Sequence, residues 1–530
     1  MRLFLKAAVL SATVLGVVAA SSAHAGSHSA CPKQGGTLVY GVKAEPPMFD
    51  LHGNNSYAVQ HYVAQHYSTL LTFDWENFPN MEGDLADSWT VSDDGLKFTF
   101  NLHKGVKFHD GTPMTSADVK ASYERIKNPP EGVASPRKAL MADISSIETP
   151  DDHTVIFNLS APNAFMEAGF ASPFNAIYSK KDLDADPKFP IKNINGTGPY
   201  KLKEYKPGEA WITERYEDFH HDDNCLDGTV GYKISGITEP MLGGQIMAEW
   251  RGTAPAERTT LKEGLGDKIN LVGPHGWMTL FLVSLNSESE AFQDKRVRQA
   301  VQMCLDRNNG LKQLAKITFT SETPAGLTLP GSPYAMAAED LATVTGYRTD
   351  GDAEKKKAMA LLKEAGYEGL KFTYSNRAVS HPYDHMAIWM ISEWKKCGMN
   401  PEMISNPTSK FVTIRNEGGF DATIDWAPSF LPDPSLMLFK FLSDDQTGSN
   451  YSNYIDRELD DLYNAQKGEL DFEKRKALSI EFEKKVLNDS YILPVAFLGR
   501  VLALDSKIKG FTIAPSHILN NTYRGIWLDE

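Results

Sequence analysis

Ser135 and Lys138 have the SxxK spacing of penicillin-interacting enzymes, in which a lysine lies close to a serine nucleophile. The SDN and KTG elements that accompany this spacing in those enzymes are absent from the chain. The sequence also contains no GxSxG, HExxH or Walker A motif. A hydrolase needs a base oriented onto its nucleophile, so these absences argue against catalysis.

Two groups of histidines raise the question of a metal site, but the sequence favours a metal at neither of them. His381 and His385 are four residues apart near a predicted helix start, with Asp384 between them, but no third ligand follows at motif spacing. We interpret the run 220–223, His-His-Asp-Asp, as a solvated loop. The sequence therefore predicts no catalytic residue, no metal and no cofactor.

The segment 85–125 shows the clearest local structure in the chain. Asp94-Gly95 separates two apolar runs and predicts a hairpin turn. Alternating apolar residues over 96–102 predict a strand with one buried face. Thr115, with Asp118 three residues later, predicts a capped helix that ends near Ile126. None of these residues is a nucleophile or metal ligand by spacing, so the segment is predicted to be scaffold.

The residue order in this segment, SWxVSxDGxxxTFxLxxGVxFHDGxPxTxxDV, closely resembles the signature of the extracytoplasmic solute-binding proteins of family 5. These are the dipeptide, oligopeptide and nickel receptors of ABC importers. The resemblance implies an α/β periplasmic-binding-protein fold of class II, large type, with two lobes joined by two crossover strands. It places lobe one at 26–275 plus 504–530, an accessory subdomain at about 59–193, and lobe two with the hinge crossings at 276–503.

Lobe two is predicted to contain helices over 294–307, 353–365, 384–397 and 472–487. Gly366 and Gly398 follow two of these patterns directly, and glycine is the usual C-terminal stop of a helix. Apolar runs over 278–286 and 491–497 predict the strands next to the crossings.

The first residues predict export. Arg2 and Lys6 precede or border an apolar run over 7–20, and Ala23-His24-Ala25 follows, which is the pattern of a signal peptide over 1–25. The formal charge of −14 becomes −16 once Arg2 and Lys6 are removed. An acidic exported chain is a poor nucleic-acid binder. We expect a periplasmic monomer with a small-molecule solute as its partner.

Four cysteines in an exported chain allow three disulfide connectivities. Cys31 and Cys225 lie in polar, loop-like segments and are the pair that we favour. Cys304 lies on the apolar face of one predicted helix and Cys397 at the end of another, where free buried cysteines are common. The sequence leaves that second pairing open.

The resemblance also suggests one cationic ligand contact. Aligning Trp394-Lys-Lys-Cys-Gly398 with the family's WxKxG places Arg377 on the arginine by which dipeptide receptors hold the carboxylate of a peptide. A guanidinium suits this task because it can donate two parallel hydrogen bonds. The alternative is an exposed or internally paired arginine.

The chain departs from the peptide receptors at the partner of the ligand's ammonium group. Those receptors use an aspartate that follows a tryptophan and precedes an Asp-Pro step. Here the aligned position is Ser429 or Phe430, depending on whether Trp426 or Asp433-Pro434 anchors the alignment. Because a buried ammonium without a carboxylate is costly, ordinary free-amino peptides are not the expected ligand. Asp425 is the neighbouring carboxylate that could substitute.

Aromatic and neutral polar residues complete the predicted site. Trp426 and Phe430 are expected either to form an apolar wall or to plug the core. Asn54, Asn55 and Ser56 either donate hydrogen bonds from lobe one or form a turn.

Together these features predict a periplasmic receptor that captures a small polar organic solute and delivers it to an ABC permease in the inner membrane. The solute is expected to be peptide-like, opine-like or another carboxylate-bearing compound. A secreted hydrolase, or a chemoreceptor or chaperone component with the same fold, is the alternative.

Overall fold

The computed structural model describes residues 31–54, 56–273, 277–328, 330–428, 431 and 433–530. The predicted signal peptide lies outside these residues, as do Asn55, Ser429 and Phe430. No helix in the described part of the chain is long and apolar enough to cross a membrane.

The described residues form twenty strands and sixteen α-helices. The strands are β1 Thr37–Val42, β2 Leu71–Phe73, β3 Met81–Gly83, β4 Ala86–Val91, β5 Lys97–Leu102, β6 Ile144–Asp151, β7 Thr154–Leu159, β8 Tyr200–Lys206, β9 Ala210–Arg215, β10 Gly228–Lys233, β11 Ala248–Glu249, β12 Ile269–Val272, β13 Trp277–Leu285, β14 Lys371–Arg377, β15 Asn400–Asn406, β16 Ala422–Pro428, β17 Ile492–Gly499, β18 Leu502–Asp505, β19 Ile508–Lys509 and β20 Trp527–Leu528. The helices are α1 Tyr57–Val63, α2 Ser116–Lys127, α3 Met166–Phe170, α4 Lys180–Ala185, α5 Thr238–Leu242, α6 Pro255–Leu265, α7 Glu290–Gln293, α8 Lys295–Met303, α9 Arg307–Leu314, α10 Ala338–Leu341, α11 Gly351–Glu364, α12 His385–Lys396, α13 Thr408–Asn416, α14 Pro434–Leu438, α15 Arg457–Gly468 and α16 Phe472–Asp489.

Two mixed sheets dominate the fold. The first has seven strands in the order β12-β18-β11-β1-β10-β9-β8, with β1 parallel to β10 and β11. The second has five strands in the order β15-β14-β16-β13-β17, with β14 parallel to β15 and β16. A four-stranded antiparallel sheet, β4-β5-β7-β6, lies in the segment predicted to be the accessory subdomain. The strands β2 and β3, and β19 and β20, form two small antiparallel pairs.

The chain passes between the two large sheets twice. It leaves the seven-stranded sheet after β12 and enters the five-stranded sheet with β13. It returns between β17, all of whose residues are buried, and β18. All five strands of the second sheet are therefore joined to the rest of the molecule by only two connections, an arrangement that permits relative movement of the two parts.

The segment 85–125 folds as its sequence predicts. Gly95 has a φ of +67°, and its N–H donates to the carbonyl of Ser92 at the turn between β4 and β5. At the start of α2, Asp118 Oδ2 accepts a hydrogen bond from the N–H of Thr115 at 2.7 Å, and the two residues form a capping box. These local signals suffice because each one satisfies backbone groups within a few residues.

The helices of the second half lie within a few residues of their predicted positions. Helices α11 and α12 are followed by Gly366 and Gly398, whose φ values are +81° and +78°. Helix α8 is shorter than predicted, since it starts after the capping residue Asp294 and ends before Cys304.

Two disulfides cross-link the described chain. Cys31 and Cys225 form the pair that the sequence favours, and they tie the segment before β1 to the segment before β10. Cys304 and Cys397, which the sequence left open, are also joined, because the ends of α8 and α12 meet in the core of the second half.

Candidate ligand-binding cleft

A cleft of about 780 Å³ lies between the segment 127–142, which belongs to the predicted accessory subdomain, and the half of the molecule that contains the five-stranded sheet. One wall comes from residues between 127 and 142, together with Ile518. The facing wall comes from α13, β16 and the segment 436–451. A pocket of this size, lined by parts of the chain that are far apart in sequence, suits a small organic molecule.

The charged centre of the cleft is a triad of Arg415, Asp425 and Lys440. Arg415 Nη1 lies 3.1 Å from Asp425 Oδ1, and Lys440 Nζ lies 2.7 Å from Asp425 Oδ2. All three residues are less than 9% exposed. Two cations therefore share one carboxylate, and the triad keeps a net positive charge.

Aromatic rings hold these cations in place. The Arg415 guanidinium carbon lies 4.5 Å from the centroid of the Trp426 ring and 4.1 Å from that of Tyr451. Lys440 Nζ lies 4.6 Å from the Tyr451 ring centroid. Cation–π contacts of this kind stabilise a positive charge without neutralising it, so the charge stays available to a ligand.

Burial and the neighbouring carboxylate have opposite effects on the pKa of Lys440. Removal from water lowers the pKa of the ammonium group, while the adjacent Asp425 carboxylate opposes that change. A bound anion would supply a second favourable contact for this ammonium.

The opposite wall adds further positive charge. Lys127, Arg137 and Lys138 line it. Arg137 is buried and donates to the carbonyls of Leu51 and His52, both at 2.7 Å. Burial lowers the pKa of Arg137 to about 10, so its guanidinium stays charged at neutral pH. The lining thus presents five cationic side chains and one carboxylate, and its field favours an anionic guest.

Comparison with known proteins assigns the chain to a family. The sequence profile of the bacterial extracellular solute-binding proteins, family 5 Middle, matches residues 80–449. The chain belongs to this family.

Relatives and solved structures agree with this assignment. The probable D,D-dipeptide-binding periplasmic protein DdpA of Escherichia coli is 27% identical over 509 residues, which cover 92% of this chain and 93% of that protein. The ABC transporter-associated periplasmic binding protein DppA of Helicobacter pylori, in complex with the peptide STSA, has a TM-score of 0.80 and 24% identity, covering 94% of this chain and 99% of that one. The binding protein AgaA in complex with agropinic acid, from A. tumefaciens, has a TM-score of 0.79 and 22% identity, covering 93% and 99%.

These findings confirm the family, the two-lobed α/β fold and the role of an ABC-importer receptor for a small solute that the sequence predicted. As a family 5 protein, the chain acts outside the cytoplasm.

Arg377, the family's candidate carboxylate contact, lies beside the cleft. Its Nη1 donates to the Tyr383 hydroxyl at 2.9 Å, and its guanidinium carbon lies 5.0 Å from that ring's centroid. Tyr383 in turn makes an edge contact with Trp426, at 6.3 Å between centroids. Arg377 is half-buried but is not among the described residues that line the 780 Å³ cleft. Its contact with the ligand stays a prediction.

Asp425 and Trp426 both line the cleft. Because Arg415 and Lys440 already neutralise Asp425, this carboxylate is poorly placed to receive a ligand's ammonium group as well. Trp426 is half-buried, with one face against Arg415. It serves as a wall of the cleft and not as a fully enclosed core residue.

Of the polar residues predicted from lobe one, Asn54 and Ser56 are hydrogen-bonded to each other, which agrees with the alternative interpretation as a turn. Asn54 Oδ1 accepts a hydrogen bond from the N–H of Ser56 at 2.6 Å. The carbonyl of Asn54 accepts from Arg137 Nη1 at 3.2 Å, so this turn helps to position a cation of the cleft wall. Ligand contacts by Asn54 and Ser56 stay a prediction, and Asn55, Ser429 and Phe430 lie outside the described residues.

The SxxK serine has a structural role. Ser135 Oγ donates to the carbonyl of Ile126 at 2.6 Å, where it holds the end of α2, while Lys138 lines the cleft. The rings of His381 and His385 lie 4.5 Å apart at the start of α12.

The interpretation of residues 220–223 as a solvated loop is wrong for most of the segment. Asp223 is buried, the side chain of His220 is 6% exposed, and only Asp222 is exposed. The reason is that two residues from distant segments pair with this loop: Asp84 contacts His221, and Arg524 forms an ion pair with Asp223.

Sequence reasoning missed Arg415, Lys440 and Tyr451. They lie in segments with no motif spacing, and only the packing of α13 and the 436–451 segment on β16 brings them together. The positive charges of Arg415 and Lys440, near the predicted Asp425-Trp426 pair in sequence, were the available signal.

Proposed function

We propose that this receptor captures a small anionic solute, such as a carboxylate-bearing opine-like or amine-blocked compound, and delivers it to the permease of an ABC importer in the inner membrane. The observation that supports this most strongly is the lining of the cleft, with five cationic side chains and one carboxylate. Such a lining stabilises negative charge on a guest and disfavours positive charge.

Free-amino peptides fit this cleft less well. Their ammonium group needs a carboxylate, and the single one in the described lining is already shared by Arg415 and Lys440. The relatives include proteins named for dipeptides, and one protein of the same fold is bound to agropinic acid, so the family scaffold accommodates both kinds of guest.

The remaining features of the proposal follow from the same reasoning. We propose a periplasmic monomer, exported by a signal peptide over 1–25, that binds its guest without chemical conversion or cofactor and without nucleic acid. Lobe one comprises 26–275 plus 504–530, with the accessory subdomain at about 59–193, and lobe two comprises 276–503. The connections after β12 and after β17 form the hinge.

A panel of candidate solutes tests the ligand class. We expect mass spectrometry of solute released from the purified protein to identify an anion. In thermal-shift assays, carboxylate-bearing compounds should raise the melting temperature, since ligand that binds only the folded state stabilises it. Uncharged analogues and free-amino dipeptides should have little effect. Stabilisation by plain dipeptides, with none by anions, would contradict the proposal.

Arg415→Gln tests the site itself. The substitution removes one cation but leaves Asp425 paired with Lys440, so no buried charge is stranded. We expect affinity for the identified anion, measured by titration calorimetry, to fall by about tenfold or more. Arg457→Gln is the matched control, because Arg457 belongs to the same half of the molecule but pairs with Asp445 on the surface. Equal affinities for the two variants would place the site elsewhere.

A further inference from the structure

A cluster of Asp84, His220 and His221 lies in the seven-stranded half, away from the cleft. Asp84 follows β3, and the two histidines lie between β9 and β10. His221 Nε2 is 3.2 Å from Asp84 Oδ1, and His220 Nε2 is 3.5 Å from the same oxygen. The possible ligand atoms of these three residues all lie within 4.8 Å of one another.

His220 is the unusual member of this cluster. Its side chain is 6% exposed, and neither ring nitrogen makes a hydrogen bond within the described part of the chain. A buried imidazole without hydrogen bonds is costly unless another partner satisfies it. Its Nε2 faces the carboxylate of Asp84, which itself accepts a hydrogen bond from the N–H of Thr69 through its other oxygen.

We propose that Asp84, His220 and His221 bind a divalent first-row transition ion, with Zn²⁺ as the best fit. Two imidazoles and a carboxylate are the donor set that zinc prefers, at about 2.0–2.2 Å from each ligand atom. In a tetrahedral site of that radius, the ligand atoms lie about 3.3 Å apart. The two measured separations, 3.2 and 3.5 Å, match this spacing.

The charges around the cluster suit metal binding. Burial opposes ionisation of Asp84, but the nearby histidines and the Arg524 guanidinium hold the pKa of this carboxyl well below its usual range. Burial also lowers the pKa of His221, and the adjacent Asp84 carboxylate only partly opposes this change. Arg524 Nη1, 3.4 Å from Asp84 Oδ1, is the competing cation, and Arg524 keeps its pair with Asp223 if a metal takes its place.

A metal ion at this site would cross-link two segments of the chain. This proposal departs from the expectation, drawn from the sequence, that the chain binds no metal. The ligands join the β3 segment to the loop before Cys225, next to the disulfide that this cysteine forms with Cys31. His103, whose ring centroid lies 5.8 Å from that of His221, is the nearest additional imidazole and could complete the coordination. This inference does not depend on the ligand proposed for the cleft.

Zinc titration of the tag-free, chelator-treated mature protein tests the proposal. We expect one equivalent of Zn²⁺ to bind and to raise the melting temperature. His220→Ala and His221→Ala should each weaken binding by about 100-fold or more, since each removes a ligand. The double variant His381→Ala/His385→Ala is the matched control and should retain the site, because it removes a close histidine pair that lies in a different part of the chain.

A second measurement guards against variants that fail to fold. Circular dichroism and the melting temperature of the metal-free variants should match those of the metal-free wild type. Co²⁺ should give visible absorption bands in the wild type and in the control that are absent from His221→Ala. The proposal is overturned if the wild type binds no zinc, or if zinc binding and the cobalt bands persist in folded His220→Ala and His221→Ala.

Discussion

Asp425 sets the charge balance of the cleft. It is fully buried and touches both Arg415 and Lys440, and its side chain also accepts a hydrogen bond from Ser284 Oγ at 3.3 Å. The carboxylate therefore offsets repulsion between two buried cations while it leaves one positive charge for a guest. We expect this residue to stabilise the fold and to limit affinity for the proposed anionic solute.

Asp425→Asn should separate these two effects. Loss of the carboxylate leaves two buried cations without a counter-charge, so we expect the free energy of unfolding to fall by about 3 kcal/mol. Affinity for the anionic solute should rise, because the lining becomes more positive. Chemical denaturation and titration calorimetry measure the two quantities.

Asp445→Asn is the control for this substitution. Asp445 pairs with Arg457 where both side chains are at least half exposed, so its removal should lower the free energy of unfolding far less than removal of Asp425 does. If the two variants unfold with the same free energy, the triad does not carry the stability assigned to it.

At this scale the sequence predicted only part of the cleft lining. Asp425 and Trp426 were found because they lie in a segment that resembles the family's binding segment. Arg415 and Lys440 could not be found in that way. They lie 10 and 15 residues from Asp425 along the chain, and only the tertiary packing of these segments brings the three side chains together. Arg377 is the opposite case. It aligns with the arginine by which the family's dipeptide receptors hold a carboxylate, but here its guanidinium donates to the Tyr383 hydroxyl.

Helix α16 contains a buried carboxyl with an unusual titration. Glu483 is fully buried, and its carboxyl accepts hydrogen bonds from the N–H of Leu327 and from Thr328. Burial raises the pKa of Glu483 to about 7, and these hydrogen bonds only partly oppose the effect. The helix thus packs against the segment 326–328 most favourably when the carboxyl is protonated.

This carboxyl predicts a pH dependence of stability. Between the ordinary glutamate pKa and about 7, the folded state binds more protons at Glu483 than the unfolded state does. The contribution is therefore fully present at low pH and is lost as the pH rises through this window. Glu483→Gln should remove up to about 3 kcal/mol of this change, as measured by denaturation from pH 4.5 to 8.

The neighbouring Glu481 provides the comparison. It lies on the exposed face of the same helix, so Glu481→Gln should leave the pH profile of unfolding close to that of the wild type. Parallel profiles for Glu483→Gln and the wild type would show that the buried carboxyl titrates normally.

Helices were predicted best where a capping residue or a glycine marks where they begin or end. The glycines after α11 and α12 and the capping box of α2 each satisfy backbone groups nearby, and those helices were placed within two residues. Short elements such as β2, β3 and β11 were not predicted, because strands of two or three residues show no alternating pattern of their own and form only through pairing with a second segment. The disulfide between Cys304 and Cys397 was left open for the same reason, since it depends on how two helices pack.

The two halves of the molecule touch beyond the hinge. Lys467, near the end of α15, forms an ion pair with Asp143 at 2.9 Å, and its carbonyl accepts from the N–H of Ala164 at 3.0 Å. These contacts cross from the five-stranded half to the accessory segment. They stabilise an arrangement in which both walls of the cleft face each other.

Lys467→Met should shift the molecule towards an open arrangement. The ion pair is partly exposed, so its loss should cost less than about 1 kcal/mol and weaken solute affinity by about three- to fivefold. The radius of gyration of the solute-free protein, from small-angle X-ray scattering, should increase. Lys474→Met, at an exposed position of α16, should change neither quantity. A Lys467→Met variant that behaves like Lys474→Met would mean that this contact does not influence closure.

The position of β18 in the seven-stranded sheet constrains how the chain acquires its structure. This strand, close to the carboxyl end, lies between β12 and β11, and Tyr523 beyond it donates to the carbonyl of His61 at 2.8 Å. A polypeptide that emerges amino end first must wait, with β11 and β12 unpaired on that side, until some 230 later residues have appeared. The amino-terminal half therefore cannot complete this sheet ahead of the rest, so the seven-stranded sheet reaches its final form only when nearly the whole chain has been synthesised.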